Sequence, residues 1–185
     1  MKYMFLSKVF AIVFMLNGCN LESKKEESVQ SFYSASQEEQ IFLDEYLEKS
    51  IRFLELHEEL YISTGRTLSS EELDLARKMD IKYPEKIRVA VVEEFPLPED
   101  EILREKFISF GFNSPETLGR NYGYAVTLKP RAKSNLSVLS HEFVHVAQVE
   151  RTDRRHWVER YLVEILRFGY FGAPLEIEAY EKQIK

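Results

Sequence analysis

The stretch that decides the fold runs from residue 135 to residue 151 and reads NLSVLSHEFVHVAQVER. Its apolar residues recur at steps of three and four, which predicts an amphipathic helix over residues 135–150. His141 and His145 are four residues apart, and side chains at that spacing lie on one face of a helix. With Glu142 between them, the segment has the form HExxH.

This spacing lets both imidazoles reach a single zinc ion. Glu142 is displaced around the helix, so it can contact a water molecule rather than the metal. Zinc lowers the pKa of that water, and the glutamate accepts the proton as the oxygen attacks a carbonyl carbon. The alternative interpretation is a surface helix that carries two solvated histidines. The position of the motif, on a long helix behind a predicted strand, favours a metal site.

A catalytic zinc site usually has three protein ligands and one open position, so two histidines are not enough. The extended metzincin motif needs Gly and His where this chain has Gln148 and Arg151, which excludes that class. His156 begins the next predicted helix, where a histidine is more often a capping or surface residue. We expect Glu159 and Glu164, on that same helix, to be solvated.

A glutamate on the C-terminal helix is the better candidate for the third ligand. That helix begins at Pro174 and carries Glu176 and Glu178, which point to different sides because they are two residues apart. We expect Glu178 to face the metal, since Ala179 is small enough to let this helix approach the motif helix closely. Glu176 is in the first turn, where the helix dipole already explains an acid. It remains the alternative ligand.

On both sides of the motif, hydrophobic periodicity and turn residues predict several helices and only a few strands. The predicted helices cover residues 38–62, 69–79, 99–110, 135–150, 153–168 and 174–185, and the predicted strands cover residues 87–92 and 122–128. The expected fold class is therefore α+β, mostly helical, with a small sheet and extra N-terminal helices. A single domain spans residues 38–185.

The N-terminal segment indicates export. Two lysines precede an apolar run at residues 9–16, which is too short for a transmembrane helix but suits a signal peptide. The run ends in Leu-Asn-Gly-Cys at residues 16–19, which resembles the lipobox of bacterial lipoproteins. That resemblance implies a signal peptide over residues 1–18 and a lipidated Cys19. The polar composition of residues 19–37 predicts a flexible tether. A plain secretory signal or an N-terminal anchor helix is the alternative.

Residues 141–148 together with residues 174–180 resemble the zincin zinc metallopeptidases of the gluzincin type, in which HExxH is joined by a glutamate on a later helix. The resemblance implies a minimal zincin-like domain that contains Zn²⁺. The residues it implies are His141, His145 and Glu178 as metal ligands and Glu142 as the general base. In zincins an edge strand before the motif helix binds extended substrate, and residues 122–128 occupy that position in this sequence.

A tyrosine is expected to donate the hydrogen bond that stabilises the tetrahedral intermediate in such a site. Tyr161, Tyr170 and Tyr180 are the candidates. We expect Tyr170, because Gly169 and Gly172 place it in an irregular connection that could border a cleft.

Composition limits the remaining functions. The net charge is -6, which argues against binding to nucleic acid, and the single cysteine excludes a disulfide scaffold. The expected function is a lipid-anchored zinc metallopeptidase that hydrolyses peptide or protein substrates in the bacterial cell envelope. We expect it on the membrane, either at the outer membrane or facing the periplasm. The alternative is a non-catalytic zinc-binding lipoprotein, in which a structural metal supports a partner-binding surface.

Overall fold

The computed structural model describes residues 34–185, and within them the first helix, α1, spans Gln37–Thr64. Ser36 caps this helix: its hydroxyl accepts from the Glu39 amide, and the Glu39 carboxylate accepts from the Ser36 amide. The helix ends at Gly65, where an added Cβ would lie 2.6 Å from the Tyr61 carbonyl oxygen. The sequence prediction of a long N-terminal helix over residues 38–62 is confirmed.

Five more helices follow within residues 34–185, and the prediction of a mostly helical α+β fold is confirmed. They are α2 (Ser70–Lys78), α3 (Glu101–Ser109), α4 (Leu136–Arg151), α5 (Arg154–Phe168) and α6 (Pro174–Lys182). A short 3-10 helix, Tyr170–Gly172, connects α5 to α6. Asn135 caps α4 and Asp153 caps α5: each side chain accepts a hydrogen bond from a backbone amide in the first turn of its helix, which fixes where the helix begins.

Four short strands of the described chain form one mixed sheet in the order β1-β2-β4-β3. They are β1 (Arg66–Thr67), β2 (Arg88–Val91), β3 (Gly119–Asn121) and β4 (Ala125–Leu128). The central pair, β2 and β4, is parallel, and both outer pairs are antiparallel. The two central strands were predicted, whereas β1 and β3, only two and three residues long, were not.

The expectation that residues 122–128 form the edge strand next to the motif helix is wrong. Within that segment β4 lies inside the sheet, hydrogen-bonded to strands on both sides, and β3 is the edge strand. All four residues of β4 are buried, which is typical of a strand covered on both faces. The strand that borders the candidate site is therefore β3, and Gly123 belongs to the turn between β3 and β4.

The core places α4 between the sheet and the last two helices. Its apolar residues Leu139, Phe143 and Val146 pack against Val126 and Leu128 of β4. Full burial of each such side chain contributes about 1.5–3 kcal/mol, which fixes the orientation of the helix. The other side of α4, which carries His141, His145 and Gln148, is buried as well. Polar side chains buried in this way need partners, and α5 and α6 provide them.

A second cluster joins the N-terminal helix to the C-terminal half. Leu43 and Leu47 of α1 pack against Trp157, Val158 and Leu162 of α5. Residues 35–185 form one compact unit. No helix within the described residues is long and apolar enough to cross a membrane. The predicted signal peptide, Cys19 and nearly all of the predicted tether lie outside the described residues.

Candidate metal centre

The two motif histidines lie one helical turn apart on α4, with their Nε2 atoms 3.3 Å from each other. Both residues are buried, although α4 begins and ends at the surface. Their spacing on one helix face agrees with the sequence argument, and the interpretation as two solvated surface histidines is wrong. The histidines turn their Nε2 atoms toward α6.

The third member of the group is Glu176. Its Oε2 atom lies 3.3 Å from His141 Nε2, and its Oε1 atom lies 3.3 Å from His145 Nε2. The residue is only 1% exposed. His141, His145 and Glu176 therefore form a buried group that could hold a metal ion. Glu176 was the alternative in the sequence analysis, and the structure makes it the candidate ligand.

The expected position of Glu178 beside the histidines is wrong. Its carboxylate accepts from both terminal nitrogens of Arg151, at 2.7 and 2.8 Å, and from Lys182 at 2.8 Å. Residues two apart on a helix differ by about 200° in direction, so only one of the two glutamates can face the two histidines. Ala179, whose small size was the argument for Glu178, is buried on the same side as Glu176, three residues away.

A glutamine fixes the orientation of His145. The His145 Nδ1 atom lies 2.8 Å from Gln148 Oε1. Gln148 Nε2 donates to the Leu175 carbonyl at 2.9 Å and to Glu178 Oε2 at 3.1 Å, both of which only accept. The amide oxygen must therefore face His145, and His145 must carry its hydrogen on Nδ1. The Nε2 lone pair is left to point at Glu176 and His141.

His141 has a similar outer contact. Its Nδ1 atom lies 3.2 Å from Oε1 of Gln183, the residue that follows α6. Hydrogen bonds from the outer nitrogen of a histidine hold the ring of a metal ligand in place and raise its basicity. Neither Gln183 nor its role was anticipated, since a glutamine after the last helix carries no recognisable signal in a single sequence.

This arrangement brings a carboxylate against two ring nitrogens, so a positive charge between them is favourable. Glu176 Oε2 is buried and has no hydrogen-bond partner among the described residues. Burial by itself lowers the pKa of His145, but the Glu176 carboxylate outweighs burial and raises that pKa to about 9. Burial raises the pKa of Glu176, but His145 and the neighbouring donors outweigh it and hold that pKa below its usual range. The group is therefore built to contain positive charge, and a metal cation fits it.

Glu142 lies beside this group but is not one of its three members. Its side chain is buried against β3, and a Cβ added at Gly119 would lie 2.5 Å from Glu142 Oε1. Burial raises the pKa of Glu142, which makes its carboxylate a stronger base than one in water. Glycine at 119 is required for this packing, and the sequence offered no sign of it, since the contact joins residues from different elements.

The three candidate tyrosines differ in their contacts. Tyr161 donates to Glu176 Oε1 at 2.6 Å, so its hydroxyl already has an acceptor. Tyr170 lies in the 3-10 helix after α5 and lines the cavity space around Glu142, as predicted from its glycine neighbours. The Tyr180 ring stands 4.6 Å from the His141 ring. Burial raises the pKa of Tyr170, so its hydroxyl remains a hydrogen-bond donor at neutral pH.

An open cleft of about 550 Å³ reaches the group from the surface. Its walls come from the end of α3, the start of β3, the first half of α4 and the connection between α5 and α6. The residues closest to the candidate chemistry are Gly119, His141, Glu142, Tyr170 and Tyr180. A molecule in this cleft would therefore have access to one side of the three-residue group.

Glu164, expected to be solvated, is instead 1% exposed. Its carboxylate accepts from the Leu175 amide at 2.8 Å and from Arg160 at 2.7 Å. Because the residue before α6 is an alanine and supplies no side-chain cap, Glu164 serves as a cap from a different helix and holds the turn that contains Glu176.

A comparison of the chain with protein-family models, with curated proteins and with solved structures found no match. The function must therefore be argued from the residues of the site and their geometry.

Proposed function

We propose that this protein is a zinc-dependent metallopeptidase of the bacterial cell envelope. The observation that carries the proposal is the group formed by His141, His145 and Glu176, in which the two Nε2 atoms lie 3.3 Å apart and each lies 3.3 Å from a different oxygen of the Glu176 carboxylate. Ligands about 2.0–2.1 Å from a tetrahedral zinc ion lie about 3.3–3.4 Å from one another. Two neutral imidazoles with one carboxylate are also a donor set typical of catalytic zinc.

Zinc, when bound, would polarise a substrate carbonyl and lower the pKa of a water molecule. Glu142 would accept the proton of the attacking water and then donate it to the departing amine. Its burial, which raises its pKa, suits both steps. Tyr170 is placed in the cleft to donate a hydrogen bond to the oxygen that becomes negatively charged.

A peptide is the substrate that the cleft favours. Strand β3 is an edge of the sheet and Gly119, its first residue, lines the cleft. An edge strand can pair with an extended chain through main-chain hydrogen bonds, which do not depend on side-chain identity. Only a polymer with a regular amide backbone can use such a strand in full.

The test is the substitution Glu142→Gln, which keeps the shape of the side chain and removes its basicity. Purified protein with zinc should cleave peptides, and the variant should lose at least about 100-fold in kcat/KM while its zinc content stays at one ion per chain. Glu178→Gln, the same chemical change outside the group of His141, His145 and Glu176, is the matched control and should retain activity. Full activity in Glu142→Gln would overturn the mechanism.

The second candidate function is a structural zinc site in a non-catalytic lipoprotein. Nearly complete burial of the three residues favours this function. The group also joins α4 to α6, and the hydrogen bond from Tyr161 to Glu176 joins α5 to α6. A chelator should then lower the melting temperature strongly, while no peptide in a diverse library is cleaved. Cleavage by the zinc form that is lost with the chelator would exclude this function.

We propose membrane anchoring through Cys19 on the strength of the lipobox resemblance. Cells that make the Cys19→Ala variant should release the protein from the membrane fraction or leave it unprocessed, and the mature wild-type chain should gain the mass of acyl groups. Normal membrane fractionation of Cys19→Ala, with no lipid mass on the wild type, would refute the anchor.

A further inference from the structure

A second and smaller cavity, about 90 Å³ in volume, meets the cleft beside Glu142. The two cavities share Thr117, Gly119, Glu142 and Tyr170. From there the smaller one extends away from the surface cleft toward α1 and α5. A group attached to a molecule in the cleft can therefore enter it at the level of the catalytic carboxylate.

The walls of this cavity are apolar away from the metal group. Helix α1 contributes Phe53 and Leu54, and helix α5 contributes Trp157, Val158 and Leu162. Arg120 also borders the cavity, but its guanidinium donates to the carbonyl oxygens of Pro96 and Phe112. Arg120, Glu142 and Glu176 border the cavity on its β3 and metal side, so a charged side chain that reached the end formed by α1 and α5 would lose its hydration without a partner of opposite charge there, which costs several kcal/mol.

Two polar atoms of residues that line the cavity have no hydrogen-bond partner among the described residues: Glu176 Oε2, which belongs to the metal group, and Ser50 Oγ. Ser50, on α1, is 3% exposed and lines the cavity, and its hydroxyl makes no hydrogen bond to any part of the chain that the structure describes. Serine in a helix commonly donates to a carbonyl of the preceding turn, so an unsatisfied buried hydroxyl is unusual. The Ser50 hydroxyl is therefore available to hydrogen-bond an occupant of the cavity.

We propose that this cavity receives a leucine- or methionine-sized aliphatic side chain of the substrate residue next to the cleaved bond, and that α1 and α5 thereby set the specificity. The proposal rests on the proposed peptidase function. The volume supports this size, because an apolar cavity of about 150 Å³ holds a benzene molecule, and this one is smaller. Leucine fills it, alanine leaves most of it empty, and tryptophan or lysine does not fit.

The first test uses peptides that differ only at one residue beside the cleaved bond, with glycine, alanine, leucine, phenylalanine, tryptophan or lysine there. Leucine should exceed alanine by at least about tenfold in kcat/KM, because each buried methylene contributes to discrimination. Tryptophan and lysine should be the poorest substrates. Equal cleavage of the alanine and leucine peptides would overturn the proposal.

The second test changes the size of the cavity. Val158→Ala removes two methyl groups from its wall, so the ratio of kcat/KM for phenylalanine over leucine should rise by about fivefold or more. Val163→Ala is the matched control, since Val163 is equally buried on the same helix but lines neither cavity. A change of the ratio in both variants, or in neither, would refute the assignment of the wall.

Binding measured without turnover separates this proposal from the peptidase function. Trp157 is the only tryptophan of the chain and lines the cavity, so its fluorescence reports occupancy. In zinc-loaded Glu142→Gln, the leucine peptide should change this fluorescence and bind at least about tenfold more tightly than the alanine peptide. If that preference is seen although wild type cleaves nothing, the peptidase function fails and the cavity assignment stands. If wild type cleaves peptides but the variant binds the leucine and alanine peptides equally, the peptidase function stands and the cavity assignment fails.

Discussion

The two sides of helix α6 carry the same functional group in opposite environments. Glu176 is buried beside the two histidines of α4, whereas Glu178 lies nearer the surface and pairs with Arg151, at the end of α4, and with Lys182. The side chains are chemically identical and two residues apart. What separates a candidate metal ligand from a surface ion pair is therefore only the direction in which the helix presents each carboxylate.

The largest expected difference between the two sides is in zinc affinity. Glu176→Gln should weaken zinc binding by at least about 100-fold, because it removes a charged ligand. Glu178→Gln should change the affinity by no more than about threefold, since Gln148 stands between it and the histidines. Competition with a chromogenic chelator measures both. Similar losses in the two variants would abolish the distinction between the two sides.

Gln148 connects the histidine group with the Glu178 ion pair, since it hydrogen-bonds His145, Glu178 and the Leu175 carbonyl at the start of α6. Gln148→Leu keeps the volume but removes the acceptor that orients His145. Zinc affinity should fall by about 10–100-fold, the usual effect of losing such an outer contact. Zinc titration of this variant, beside Gln183→Leu on the His141 side, would show whether the two outer contacts are equivalent. Wild-type affinity in Gln148→Leu would contradict its orienting role.

Glu164 caps the first turn of α6, which carries Glu176, by accepting a hydrogen bond from the Leu175 amide. Glu164→Ala would leave the Leu175 amide buried without an acceptor and should lower the free energy of unfolding by about 2 kcal/mol. Glu159→Ala, on the same helix but half-buried, should lower it by less than about 0.5 kcal/mol. Urea denaturation of both variants measures the difference. Equal stability would mean that the start of α6 does not depend on its cap from α5.

The smallest expected effect is the contribution of Glu178 to the free energy of unfolding, which depends on pH. The hydrogen bonds from Arg151, which outweigh burial, hold the pKa of Glu178 at about 2, below its ordinary value of 4.5. The lowered pKa contributes stability above pH 4.5, and that contribution is lost as the pH falls toward 2. In metal-free protein, Glu178→Gln should therefore cost up to about 1 kcal/mol at pH 7 and less than about half of that at pH 3. Urea denaturation at about pH 7, 5 and 3 checks this, and a cost that grows with acidity would contradict it.

The sequence predicted those features that local signals determine. The helix that contains HExxH and the capping residues of α1 are visible in short windows, and so are the central strands with their β-branched residues. Strands β1 and β3 were missed because two or three residues form a strand only through their partners. The third ligand was misassigned because a first-turn acid has a local explanation, and the histidines that bury Glu176 are more than thirty residues away. The smaller cavity depends on the contact between α1 and α5, which no local pattern encodes.

The packing of α1 on α5 has a consequence for how the chain folds. Arg167 binds Glu39 across 128 residues of sequence, and Arg155 binds Glu48 across 107. A ribosome must therefore complete α5 before α1 finds the surface that covers it. Contacts of such long range slow folding, because the intervening loop must close before the contact contributes energy. We expect the apolar side of α1 to remain exposed until α5 has been made, so the packing of α1 should be a late step in folding.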